Sequence, residues 1–111
     1  MKGGFRKVCI IGVGLIGGSI ALGIKKRGLA EKVVGGFRRR SSLYKAKKNG
    51  IVDEGYLDYR KALEGSDLVI LATPIYKIIE IGKQIRDNFP PNSILMDVGS
   101  TKYEIVKELS R

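Results

Sequence analysis

Short apolar runs alternate with longer amphipathic stretches along this chain. Phe5 to Ile11 closes on Val8-Cys9-Ile10-Ile11, an unbroken apolar run that predicts a strand covered on both faces. Leu15 to Lys26 reads as a helix, with Gly28 close to its C-terminal stop. Lys32 to Phe37 predicts a second strand. Ser41 or Ser42 is placed to cap a helix running to about Lys48, which Asn49-Gly50 ends. Ile51-Val52 predicts a short edge strand, and Asp58 a cap for a short helix through Leu63. Asp67 to Ala72 is a further buried-strand pattern, stopped by Thr73-Pro74. Ile75 to Asn88 predicts a helix with Ile78, Ile79, Gly82 and Ile85 on its packed side. After the turn Phe89-Pro90-Pro91-Asn92, Ser93 to Val98 predicts the last strand, and Thr101-x-x-Glu104 is a capping box that opens a final helix.

This order predicts an α/β fold of Rossmann type, with a doubly wound, mostly parallel sheet and helices on both faces. Ligands of such sheets bind beyond the C-terminal strand ends. Those ends fall at Gly12-Val13-Gly14, Phe37-Arg38, Thr73-Pro74 and Gly99-Ser100.

The first end carries Gly12-Val13-Gly14-Leu15-Ile16-Gly17, a G-x-G-x-x-G set between a strand and a helix. The first glycine permits the tight turn and the second lets the backbone approach a pyrophosphate. The third lets helix and strand pack closely, so the helix start aims its free N–H groups at the anion. The second end selects the cofactor. An NAD site usually carries an acid there, bonded to the ribose 2′-hydroxyl. Here the segment is Gly35-Gly36-Phe37-Arg38-Arg39-Arg40-Ser41, with no acid; Glu31 precedes the strand and Asp53 lies beyond the next helix. Guanidinium groups suit a phosphate dianion, so the cofactor expected is NADP(H) rather than NAD(H).

Composition narrows the picture further. The 111 residues make one domain, 1–111, with 43% hydrophobic content, enough for a core. No apolar run is long enough to span a membrane, and Met1 to Lys7 lacks the pattern of a signal peptide. One cysteine fits a reducing cytoplasm, and Cys9 reads as a small core residue. The net charge of +10 suggests anionic partners, but no nucleic-acid motif accompanies it, and the partner expected is a small molecule.

With these segments in hand, the chain resembles the prephenate dehydrogenases, a family that includes arogenate dehydrogenases. The resemblance lies in Ile10 to Ala21, Gly50-Ile51-Val52-Asp53, Asp67 to Pro74, and Asp97-Val98-Gly99-Ser100-Thr101-Lys102. It implies oxidative decarboxylation of prephenate to 4-hydroxyphenylpyruvate, in tyrosine biosynthesis, with hydride passed to the nicotinamide. It also implies that Ala72, Thr73 and Pro74 lie along the cofactor and that Ser100 is catalytic, near the nicotinamide and the substrate hydroxyl. Together with Gly12, Gly14, Leu15, Ile16, Gly17, Phe37, Arg38, Arg39, Arg40 and Ser41, these residues form the expected site. Many family members carry an Asp where Arg38 stands, a departure that bears on cofactor choice.

Hydride transfer from an alcohol needs a base for the hydroxyl proton, and this chain has no histidine. The family's base is a histidine beyond the serine motif, and its dimerising, substrate-binding helical domain also follows. The chain is therefore expected to be a cofactor-binding piece, inactive alone. Tyr103-x-x-x-Lys107 and Tyr44-x-x-x-Lys48 match the Tyr-Lys spacing of short-chain dehydrogenases, but the glycine spacing belongs to another type. The alternatives are an arogenate dehydrogenase, another NADP-dependent reductase such as a deazaflavin-dependent one, a non-catalytic nucleotide-sensing domain, and a nucleic-acid binder motivated by charge alone.

Overall fold

The apolar strand at the start of the chain becomes the middle of a five-stranded sheet. The structure is a computed structural model and describes residues 4–12, 14–72 and 88–97. Its elements are β1 (Phe5–Ile11), α1 (Leu15–Lys26), β2 (Ala30–Gly36), α2 (Arg40–Lys48), β3 (Glu54–Tyr56), α3 (Tyr59–Leu63), β4 (Leu68–Leu71) and β5 (Ile94–Asp97). The strands run in the order β3-β2-β1-β4-β5. Every pairing is parallel, with Cys9 opposite Val34 on one side and Val69 on the other. The expected helices from Ile75 and from Thr101 lie outside the described residues, Asn88 excepted.

Period-two alternation sorts the core into two layers. Val8, Ile10, Val33, Leu68 and Ile70 pack with Ala21, Ile24 and Ala46, the layer of α1 and α2. Cys9, Ile11, Val34, Val69 and Leu71 pack with Ala62 and Leu63, the layer of α3. Helices therefore cover both faces, as a doubly wound sheet requires. Burial pushes the Cys9 thiol up to about 12, against the lowering influence of the Lys7 charge and a Ser66 hydrogen bond. It is an inert core group at neutral pH.

Two carboxylates fix the frame. Asp67, just before β4, accepts hydrogen bonds from the main-chain N–H groups of Arg6 (2.9 Å) and Lys7 (2.8 Å). That joins the start of β1 to β4. Asp53 accepts from Lys25 Nζ and from the Val33 N–H, both at 2.8 Å, joining α1, β2 and the approach to β3.

Two local expectations are corrected. The edge strand is Glu54–Tyr56, not Ile51-Val52. The Ile51 N–H still donates to the Ala46 carbonyl, in the turn that closes α2, and the Val52 side chain is buried in the core. Pairing can begin only after Asp53, whose N–H donates to Val33. Neither Ser41 nor Ser42 caps α2. The cap is Arg39, extended at φ −121° and ψ 140°, with no side-chain cap bond, so both serines fall in the first helical turn. Asp58 does cap α3, accepting from the Arg60 N–H.

Candidate nucleotide-binding site

The glycines after β1 stand in three different environments. Gly12 has φ +84°, a conformation L side chains rarely adopt, and its N–H donates to the Gly36 carbonyl at 3.1 Å. The turn thus leaves the sheet while still tied to β2. A Cβ on Gly17 would stand 3.0 Å from the Gly12 carbonyl oxygen, 3.3 Å from Ala72 Cβ and 3.4 Å from Ile10 Cγ2. Helix and sheet meet there at a distance that only a missing side chain allows. A Cβ on Gly14 would meet nothing within 4 Å. The open side of the turn is at Gly14, where a ligand can approach the main chain.

α1 begins at Leu15, and the Gly18 N–H makes its first-turn bond to the Gly14 carbonyl at 2.8 Å. A helix start leaves the N–H groups ahead of such a bond without an internal acceptor. No acidic side chain occupies the first turn of α1. The positive end of the helix therefore faces the open turn without a neutralising carboxylate. Leu15 and Ile16 are the first two residues of α1 and supply main-chain N–H groups at its start. Ala72 follows β4, donates its N–H to the Ile11 carbonyl at 2.9 Å, and forms the surface against which Gly17 packs.

At the end of β2 the residues separate by direction. The Phe37 side chain is 2% exposed and lies in the core beside Ala46 and Val52. Gly55 makes room for it, since a Cβ there would stand 2.9 Å from Phe37 Cε2. Phe37 therefore offers only main chain at the strand end. Arg38, Arg39, Arg40, Ser41 and Ser42 are all exposed. None of their side chains has an ion pair or hydrogen bond with another described residue. Three bases elsewhere are ion-paired: Lys25 with Asp53, Lys32 with Glu54, Arg60 with Asp58. Those acids are thereby committed away from the arginines. Glu54 also accepts from the Tyr56 hydroxyl at 2.6 Å, and its carboxyl is held below the ordinary value by hydrogen bonds from Lys32 and Tyr56.

A cavity of about 260 Å³ opens beside the glycine turn, lined by Gly14, Ser41, Ser42, Lys45, Ala46, Asn49 and Ile51. It brings one expected glycine and one expected serine together. Ser42, Lys45 and Asn49 were not among the expected site residues. The signal for Lys45 and Asn49 was the four-residue step from Ser41 to each in turn, which places them on one face of the helix, and Ser42 is three residues before Lys45. Thr73, Pro74 and Ser100 lie outside the described residues, as do Val13, Lys102, Tyr103 and Lys107. Among the described residues no helix is long and apolar enough to cross a membrane, and no group of acidic, cysteine or histidine side chains could hold a metal ion.

Comparison with known proteins meets this geometry. A family model described as the nucleotide-binding domain of prephenate dehydrogenase matches residues 20–111. Prephenate dehydrogenase of Lactococcus lactis subsp. cremoris is 41% identical over 103 residues, covering 92% of this chain and 28% of that protein. The Bacillus subtilis enzyme of the same name is 31% identical over 100 residues, covering 89% of this chain and 27% of that protein. Among solved structures, A. aeolicus prephenate dehydrogenase in complex with hydroxyphenyl propionate and NAD+ matches with a TM-score of 0.75 at 29% identity, over 83% of this chain and 32% of that one. Synechocystis arogenate dehydrogenase matches with a TM-score of 0.77 at 31% identity, over 84% of this chain and 32% of that one. The chain spans less than a third of the length of the curated relatives. An open glycine turn at the end of a central parallel strand, and a match of this extent, lead to one conclusion: the chain belongs to the prephenate dehydrogenase family of oxidoreductases, in its nucleotide-binding part.

Proposed function

We propose that this chain is the NADP(H)-binding domain of a prephenate dehydrogenase of tyrosine biosynthesis. The observation that carries the cofactor choice is the segment after β2. Three exposed arginines and two serines stand there with no partner among the described residues, and the nearby acids are engaged elsewhere. A carboxylate at this place would bond the ribose hydroxyls of NAD and repel a 2′-phosphate. Guanidinium forks do the opposite, giving charge-assisted and often bidentate bonds to phosphate.

The residues divide the work by position. The main chain at Gly14, Leu15 and Ile16 holds the pyrophosphate, Gly12 sets the turn, and Gly17 seats the helix. Arg38, Arg39, Arg40 and Ser41 hold the adenosine end. Ala72, Thr73 and Pro74 border the cofactor further along the sheet. Ser100 orients the substrate hydroxyl beside the nicotinamide. The bound cofactor would supply the hydride acceptor for oxidative decarboxylation of prephenate, with arogenate as the alternative substrate. The family's pairing through a helical domain extends to the protein as a homodimer, and the buried, unoxidised Cys9 suits the cytoplasm.

Arg38→Ala tests the cofactor reading. Losing one charge-assisted contact costs about 1.5–3 kcal/mol, roughly ten- to hundredfold in affinity. Arg38→Ala should weaken NADPH binding at the lower end of that range, since the site is exposed, and leave NADH binding unchanged. Equal losses for both nucleotides would refute it.

A further inference from the structure

The cavity between the glycine turn and α2 holds one cation that the cofactor reading above does not use. Lys45 lines it together with Gly14, Ser41, Ser42, Ala46, Asn49 and Ile51. Lys47 and Lys48 are on the same helix but do not line it. Lys45 has no ion pair among the described residues, and no carboxylate lines the cavity.

The helix geometry directs this side chain. Ser41 and Lys45 are four residues apart, so they share a face and differ by about 6 Å along the axis. Side chains in a helix lean toward its N-terminus, so the Lys45 side chain leans back toward Ser41, which lines the same cavity. The four-carbon lysine stem can lie along the cavity wall and carry its ammonium to the rim. The small side chain of Ala46, which is buried, leaves the space beside it. Gly14 lines the same cavity, so a charge there stands beside the turn that admits the nucleotide.

We propose that Lys45 is a specificity-determining residue for the adenosine 2′-phosphate, gripping it from the α2 side while the arginines grip it from the strand end. This rests on the NADP(H) reading. A lysine is a point charge rather than a planar fork, so it adds attraction without fixing the phosphate's orientation. Orientation is left to the guanidinium groups and to the serine hydroxyls.

The test separates this proposal from the reading beneath it. The probes are adenosine 2′,5′-bisphosphate and 5′-AMP, which differ only in the 2′-phosphate. Their dissociation constants are measured by calorimetric titration for the parent chain, Lys45→Gln, Lys45→Arg and Lys47→Gln. The parent is expected to prefer the bisphosphate. Lys45→Gln should cut that preference about tenfold while leaving 5′-AMP affinity unchanged. Lys45→Arg and Lys47→Gln should both keep it. If Lys45→Gln weakens both probes equally, the charge acts on the 5′-phosphate and the proposal fails. It also fails if Lys45→Gln loses nothing. A parent chain with no preference between the probes would instead overturn the NADP(H) reading itself, and this proposal with it.

Discussion

Two single-methyl substitutions should separate the folding role of one glycine from the binding role of another. In Gly17→Ala the added Cβ meets the Gly12 carbonyl oxygen at 3.0 Å, Ala72 Cβ at 3.3 Å and Ile10 Cγ2 at 3.4 Å. The first contact is main chain, in a turn held by the bond from the Gly12 N–H to the Gly36 carbonyl, so it cannot swing aside. Overpacking of this kind costs about 1–3 kcal/mol. Alanine returns about 1 kcal/mol through its helix propensity. The net expectation is a loss of about 1 kcal/mol, or roughly 4–8 °C in melting temperature for a domain near this size. In Gly14→Ala the added Cβ meets nothing within 4 Å, so stability should change by less than about 1 kcal/mol, the cost of a poorer helix cap. The same methyl projects into the space where the pyrophosphate approaches, and binding should fall at least about tenfold, near 1.4 kcal/mol. Urea unfolding and a fluorescence titration with NADPH report the two effects independently. A Gly17→Ala chain as stable as its parent, or a Gly14→Ala chain that binds NADPH unimpaired, would refute the assignment of roles.

Other consequences are as direct. Asp67→Ala strands the N–H groups of Arg6 and Lys7, of which the second is partly buried, and should cost about 1–3 kcal/mol of stability in urea unfolding. Burial raises the Asp67 carboxyl, but the Arg6 and Lys7 N–H groups outweigh it and leave the carboxyl below its ordinary value. The folded value being the lower one, the stabilisation is complete above the unfolded value of about 3.9 and disappears as pH falls through the folded value. The stability gap between parent and Asp67→Ala should therefore shrink below about pH 4, and a gap that stayed constant to pH 2 would contradict this. The chain contains no histidine to accept the hydroxyl proton, so prephenate and NADP+ supplied together should give no NADPH; sustained NADPH production would show that another group is the base.

The central strand, the glycine turn and α1 were legible because each signal was local. An apolar run, three glycines at fixed spacing and a helical pattern are contiguous, and they agree with one another. The edge strand was misplaced by a few residues because Ile51-Val52 is apolar for a different reason. Val52 fills the core beneath α2, while the residues that pair, Glu54 to Tyr56, look polar. The cap of α2 was misread because serine is the commoner cap, whereas here the chain leaves β2 with Arg39 extended and turns at once. Phe37 illustrates a limit of another kind. Its inward direction depends on Gly55, eighteen residues later, having no side chain. Lys45 was hidden in a run of lysines: its four-residue step from Ser41 marks a helix face, and the cavity shows that this face, rather than that of Lys47 and Lys48, borders the glycine turn.

The cluster after β2 is proposed to select NADP(H) over NAD(H). Equilibrium titration of the chain with NADP+ and NAD+ under identical ionic strength measures this most directly. NADP+ should bind at least tenfold more tightly, with the difference diminishing as salt screens the guanidinium groups. Identical dissociation constants, or tighter binding of NAD+, would contradict it.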